Sequence, residues 1–447
     1  RGLGDVYKRQ GNVMPKTGPV ANVLLSGVGN NGAIDTSDSE QTFITGTNPN
    51  NYIWYSGKLW RVVSIDPTDN SVKLVTQWNI SVFPYTTYGK KAFQGSNMEQ
   101  WLNDTSVDGF LGNLREPDKF IKTDSVWNAT STTERTKPAK TTMVTDAVGL
   151  LNVYEYTMSY KNATFETGYL NTGLIWWTLT PSTSYVISVG NIGLDGISIP
   201  VESYGSRPSI NLKSAVKIID GDGTVDNPYR LQGDNDSPTG TLLSTRYSGE
   251  YISFGTGENN LYRIVSHENG TGTKITSAIP LKDSGNYKTM SFGSNLTFSK
   301  DNTIGTFLNG DYLTNGTYLT SDQVNMIEDN TTWYLGTVDY GTNYKLAKYQ
   351  DATGSSLTTS TTTAQIGLLR FGELMAGQFD KDGNNANYWT LTPKNTSGVR
   401  YVDKYGGGSN CSPASSMIGS RPSMNLKSTV KIVSGTGTKS DPFVISN

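Results

Sequence analysis

At 447 residues the chain has room for two or three domains of ordinary size, each able to bury a core without help from a metal or a disulfide. Its 37 basic and 39 acidic residues leave a net charge of -2, with no polybasic face and no acidic tail, so neither nucleic acid nor an anionic membrane is indicated as a partner. A single cysteine, Cys411, excludes an internal disulfide, and a single histidine, His267, excludes clustered Cys/His metal sites.

The opening residues 1–10 carry no initiator methionine and resemble a translated sequencing-adapter artefact, so the natural amino terminus is expected to be missing. Residues 1–37 as a whole are expected to be an artefactual or partly disordered lead-in, because 11–37 are low in apolar content. Charged residues make up 17% and hydrophobic ones 35%, and 48 glycines accompany an excess of Thr, Ser, Asn and Tyr. That mixture favours short strands joined by many turns. No run approaches the ~20 apolar residues needed to cross a bilayer, so no membrane insertion is expected within this sequence.

Along the chain, Trp54 to Val63 reads as a hairpin with a Gly-containing turn, and Phe254 to Val265 is its looser counterpart. Met98, Trp101, Leu102, Phe110, Leu111 and Leu114 predict a short amphipathic stretch, broken at Gly109 and Gly112. Val148, Leu150, Leu151, Val153, Tyr154 and Met158 predict a second helix, mirrored by Ile366, Leu368, Leu369, Phe371 and Met375. The polar run 351–360 reads as the loop leading into that mirrored helix. Strands dominate after each helix.

Internal repetition is the strongest signal. Gly205-Ser-Arg-Pro-Ser-Ile-Asn-Leu-Lys-Ser-Ala-Val-Lys-Ile218 recurs as Gly419 to Ile432, fourteen positions with two changes, at an offset of 421 − 207 = 214. Trp177 to Pro181 matches Trp389 to Pro393, and Gly149-Leu150-Leu151 matches Gly367-Leu368-Leu369. The order is kept while the gaps vary, as loops do. A polar Pro/Gly cluster at 233–240 marks the linker, giving one domain at 38–233 and a second at 240–447.

These blocks, from Gly57-Lys-Leu-Trp-Arg61 through the Trp-x-Leu-x-Pro and Arg-Pro-x-x-Asn-Leu-Lys strands to the closing Gly-rich turn, resemble a domain of unknown function. That domain is widespread, often in tandem, in exported proteins of Gram-positive and gut bacteria. The resemblance implies an extracellular or cell-surface location. The Trp-x-Leu-x-Pro and Arg-Pro blocks are also similar to the closing strands of C-type-lectin-like domains. The expected fold is therefore α+β and strand-rich, two tandem repeats of one C-type-lectin-like domain, with a mainly-β, sandwich-like fold as the alternative. The lectin-like reading predicts that the hairpin around Trp60 pairs with the closing strands between Lys217 and Tyr229.

Repetition also filters the chemistry. Asp220, Asp222 and Asp226 sit in an acidic, Gly-punctuated loop of calcium-binding appearance. Its counterpart at 434–441 has lost most of the carboxylates, so both read as Gly-rich turns, and no metal is assigned. The 380–385 acidic loop occurs once and reads as a solvated turn. Glu116-Pro117-Asp118 is similar to a lectin sugar-binding triplet but precedes the second helix instead of following it. His267 and Cys411 have no equivalents, which argues against a nucleophilic triad. No acidic position is retained across the matched blocks, which argues against a shared carboxylate chemistry.

Aromatic residues remain as candidates, because exposed rings stack on sugars and anchor protein contacts. Trp176, Tyr185, Tyr204, Tyr401 and Tyr405 are the expected ligand-binding positions, placed where loops expose them. Trp177 and Trp389 are expected to be structural core residues, and Arg207 and Arg421 to form structural buried hydrogen-bond networks. The resulting expectation is a non-catalytic, adhesin-like binding module with no cofactor, whose partner is an extracellular glycan or protein. A structural spacer repeat and a polysaccharide-active enzyme are the alternatives.

Overall fold

The computed structural model describes residues 16–234, 237–267, 272–336, 361–373, 386–394, 397–407 and 411–447. Residues 1–15, the 351–360 loop and the 380–385 acidic loop lie outside the described residues. Strands predominate, and no described helix exceeds seven residues. None is long and apolar enough to cross a membrane.

The Trp54 hairpin forms as its sequence predicts. Ser56 and Gly57 both adopt positive φ, +54° and +73°, the two-residue turn whose twist matches paired strands Tyr52–Tyr55 and Lys58–Ile65. Lys58–Ile65 then pairs with Val72–Thr76, which pairs with Ser209–Leu212 of the Arg-Pro block. The chain returns at Tyr229–Leu231 to lie parallel to Tyr52–Tyr55, with Tyr229 opposite Ile53. The hairpin therefore meets the closing strand, through Tyr52–Tyr55 instead of the strand bearing Trp60. A second, five-stranded sheet carries Asp195–Ser198, Val186–Val189, Trp176–Pro181, Ser203–Ser206 and Ser81–Pro84, in that order.

The matched segments of the second half occupy corresponding positions. Tyr251–Ser253, Leu261–His267, Thr273–Ser277 and Ser423–Leu426 form one sheet, with Ile275 opposite Met424 as Leu74 is opposite Ile210. Tyr388–Pro393 runs parallel to Ile418–Gly419, as Trp176–Pro181 does to Ser203–Ser206. Arg207 Nε donates to Thr76 O at 2.9 Å, and Arg421 Nε donates to Ser277 O at 2.8 Å. Asn103 clamps the backbone of Val148 from the helix Asn97–Asn103, and Asn309 clamps Ile366 from Thr303–Asn309.

Two expectations need correction. The Gly-Leu-Leu block is not helical: Val148–Gly149 pairs antiparallel with Ile210 and Ser209, Gly367 bridges Ser423, and the helix starts only at Val153. The reason is close approach, since a Cβ on Gly149 would lie 2.4 Å from the Trp127 ring and one on Gly367 2.6 Å from the Trp333 ring. The second correction concerns the lead-in. Residues 16–37 belong to the first half, where Val20–Leu25 forms a helix whose Val20, Val23 and Leu24 are buried and Gly32–Asp35 pairs with Thr42–Gly46.

The halves are docked against one another. Lys58 Nζ donates to Ser248 O at 2.8 Å, Trp54 stacks on Tyr251 at 6.3 Å, and Asn79 Nδ2 donates to Gly406 O at 2.9 Å. Val265, Leu369, Phe371, Tyr388 and Val402 of the second half join the hydrophobic cluster of the first.

Candidate functional site

The first half carries a cleft of about 500 Å³ between the Lys58–Ile65/Val72–Thr76 hairpin, the Val126–Asn128/Met143–Thr145 ribbon and the start of the Val153–Ser159 helix. At its base lies an ion pair, Lys73 Nζ to Glu155 Oε2 at 2.5 Å, with side chains 13% and 3% exposed. Glu155 sits there because it is the third residue of its helix. Asn152 caps that helix, accepting from Glu155 N at 2.8 Å, while Glu155 Oε1 accepts from Asn152 N at 3.1 Å. Gln41 Nε2 donates to Glu155 Oε2 at 2.8 Å, so three donors engage the carboxylate. The Lys73 ammonium also lies 4.9 Å from the Trp127 ring centroid, over a face that favours cations.

Charged pairs rim the cleft. Lys137 reaches Asp38 at 2.8 Å and Glu40 at 2.6 Å, Lys140 also pairs with Glu40, and Lys122 pairs with Asp69 at 2.6 Å. Burial works to raise Asp38, but hydrogen bonds from Lys137, Glu40 N and Tyr154 outweigh it and hold the carboxyl below its ordinary range. Asp69 behaves likewise, burial being overcome by Lys122 and Ser71 to bring it down to about 2. Hydrogen bonds from Lys137 and Lys140 hold Glu40 low. Burial, followed by the bond to Asp38, pushes the Tyr154 phenol up. The lining contains four lysines (Lys73, Lys122, Lys137, Lys140) and four carboxylates (Glu40, Asp66, Asp124, Glu155), so its formal charges balance. Between them stand Ser64, Ser125, Asn128, Asn152 and Asn211, and Tyr154 is the aromatic residue of the lining.

The base recurs in the second half. Lys274 Nζ pairs with Glu373 Oε1 at 2.6 Å, Arg370 N donates to Glu373 Oε2 at 3.0 Å, and Lys274 lies 5.3 Å from the Trp333 centroid. An acidic position is therefore retained, contrary to the reading of the matched blocks. The signal was one helical turn beyond the block edge: Gly149-Leu-Leu-x-x-x-Glu155 matches Gly367-Leu-Leu-x-x-x-Glu373, and Lys73-Leu74 matches Lys274-Ile275.

The predicted aromatic positions do not converge on this cleft. Trp176 is 1% exposed, packed edge-on against Tyr156 at 5.4 Å and under the Arg207 guanidinium at 4.6 Å, which corrects its assignment to an exposed loop. Tyr204 is half-buried and packs on Trp177 at 4.8 Å, and Tyr401 is half-buried 6.5 Å from Trp389. Tyr185 and Tyr405 are exposed, but Tyr405 O accepts from Ile175 N at the contact between halves. Trp177, Trp389, Arg207 and Arg421 are all buried.

The Asp220–Asp226 turn spends its carboxylates locally. Asp220 Oδ1 accepts from Gly221 N and Asp222 Oδ1 from Thr224 N, while Asp226 is exposed. The same turn forms at 434–441 without them, because Gly221, Gly223, Gly435 and Gly437 all supply positive φ. Among the described residues no group of three or more His, Cys, Asp or Glu side chains is placed to hold a metal ion. Glu116 enters the short helix Pro117–Phe120 in left-handed conformation, and His267 Nδ1 lies 2.9 Å from Thr273 Oγ1.

No family model matches the chain, and no curated protein or solved structure matches it.

Proposed function

We propose that the chain is a non-catalytic extracellular or cell-surface binding module, and that the cleft of its first half takes a neutral glycan. The balanced, hydrogen-bond-dense lining carries this reading. A strongly charged ligand gains most where one sign of charge prevails, whereas a polyhydroxylated ring is satisfied by the alternating donors and acceptors found here. The cleft's volume of about 500 Å³ falls among small-molecule sites. The repeated contacts support two copies of one strand-rich domain, for which the C-type-lectin-like fold remains our proposal, and the composition supports an exported protein.

An array of neutral, acidic and basic oligosaccharides probed with the whole chain tests the ligand class. Neutral oligosaccharides should be retained, and Asn128→Ala with Asn211→Ala should weaken them at least about tenfold, as expected when hydrogen bonds made in a desolvated site are lost. Retention of acidic glycans alone would refute the assignment, and retention of none would leave a protein ligand. A second reading, a structural spacer, draws on the docking of the two halves and predicts no ligand of either kind.

A further inference from the structure

We infer that Arg370 is a built-in occupant of the second half's Lys–Glu site, at the position where the first half has its cleft. The two bases share several backbone contacts. Leu179 N donates to Leu151 O at 2.8 Å and Leu391 N to Leu369 O at 3.0 Å. Val153 N donates to Thr180 Oγ1 at 2.9 Å and Phe371 N to Thr392 Oγ1 at 3.0 Å. Asn152 and Arg370 therefore hold the same backbone position, each donating its N–H to the glutamate three residues on.

Their side chains differ in reach. Asn152 folds back to cap its helix and leaves space above the Lys73–Glu155 pair, where it helps to line the cleft. Arg370 instead extends from the base, and its guanidinium donates to Tyr334 O at 2.6 Å and Gly336 O at 3.2 Å. Tyr334 follows Trp333 as Asn128 follows Trp127, so Arg370 is anchored to the strand that corresponds to a wall of the first cleft. It is 3% exposed, a guanidinium buried against carbonyl acceptors that its planar fork fits. The Lys274 side chain is 7% exposed, against 13% for Lys73.

Ligand choice in the first cleft rests on the function proposed above, but occupancy of the second is tested without ligand. The whole chain is acetylated with a water-soluble amine-reactive ester, and peptide mass spectrometry gives the rates at Lys73 and Lys274. Arg370→Asn should raise the Lys274 rate several-fold and leave Lys73 unchanged. Asn152→Arg should lower the Lys73 rate several-fold and leave Lys274 unchanged. An unchanged Lys274 rate in folded Arg370→Asn, or an unchanged Lys73 rate in Asn152→Arg, overturns the inference. If circular dichroism shows Arg370→Asn unfolded, Asn152→Arg decides alone. An oligosaccharide array that retains nothing would remove the glycan ligand and leave this result standing.

Discussion

Gly149→Ala separates two accounts of the Gly-Leu-Leu block by sign. Within a helix, replacing glycine by alanine stabilises by up to about 1 kcal/mol. In the strand observed here, the new methyl would meet three atoms of the Trp127 ring at 2.4, 2.6 and 2.7 Å. Ordinary carbon contacts lie at about 3.5–4.0 Å, so ring or strand must move by roughly 1 Å. Trp127 has little room to yield: it is fully buried and its Nε1 donates to Asp146 O at 2.9 Å. Overpacking of this kind costs about 1–3 kcal/mol. Gly367→Ala, facing Trp333 at 2.6, 2.6 and 2.8 Å, should cost a similar amount. Gly196→Ala is the control, because nothing lies within 4 Å of its Cβ, and it should stay within about 0.5 kcal/mol of the parent. Urea unfolding followed by circular dichroism reads all three as midpoint shifts. A midpoint unchanged or raised by Gly149→Ala would refute the strand placement and its ring contact.

Two further outcomes concern buried cations. Burial, assisted by the nearby charge of Arg263 and opposed by Glu250, pushes Lys58 from an ordinary 10.5 down to about 7. Between those values the unfolded chain holds a proton that the folded chain has released, so Lys58 makes stability rise with pH across that window. Lys58→Met should flatten the rise in urea midpoints measured from about pH 7 to 10, and an unaltered slope would count against the burial of Lys58 between the halves. Arg207→Lys and Arg421→Lys should each cost about 2–4 kcal/mol in the same assay, since an ammonium cannot reproduce a guanidinium's planar fork in a buried site. Arg207 would lose bonds to Thr76 O and Leu170 O and its place over Trp176; Arg421 would lose those to Ser277 O and the Tyr388 hydroxyl. Neutral effects at both would show that these networks are dispensable.

The parts of the fold legible in the sequence are those where backbone geometry dictates residue type. Ser56-Gly57 announces a tight turn because both positions need positive φ, and the glycines at 221, 223, 435 and 437 keep one turn while the acids between them change. The Arg-Pro blocks were readable as paired structural elements because Arg207 and Arg421 serve the same backbone carbonyl in their respective sheets. Gly-Leu-Leu misled because a short apolar run fits a buried strand as well as a helix, and only the Trp127 ring across the sheet makes the glycine necessary. Trp176 and Trp177 point to opposite faces of one strand, which ordinarily leaves one face wet. Here Tyr156 and Arg207 cover one and Phe83 and Tyr85 the other. The cleft was illegible for a different reason: Gln41, Lys73, Lys137 and Glu155 are scattered over 114 positions and meet only through the sheet.

Docking of the halves bears on how such a molecule would bind. Avidity from a duplicated domain requires two competent sites whose spacing can match the ligand's. Here the hairpin turn of the first half is pressed so closely on the second that a Cβ on Gly57 would lie 2.5 Å from Ser248 O, and one on Gly249 2.2 Å from Gly57 O. Phe371 and Leu369, the residues flanking Arg370, are buried in the cluster they share with the first half. The segment that fills the second site is thus also part of the joint. Retention of the Lys–Glu base in both halves is then explained by packing, since Lys73 and Lys274 each bridge a sheet strand to the chain just after a Gly-Leu-Leu block and cover a buried tryptophan. Among the positions where the two bases differ, Asn152 lines the cleft of the first half, whereas Arg370 is buried between two residues of the joint.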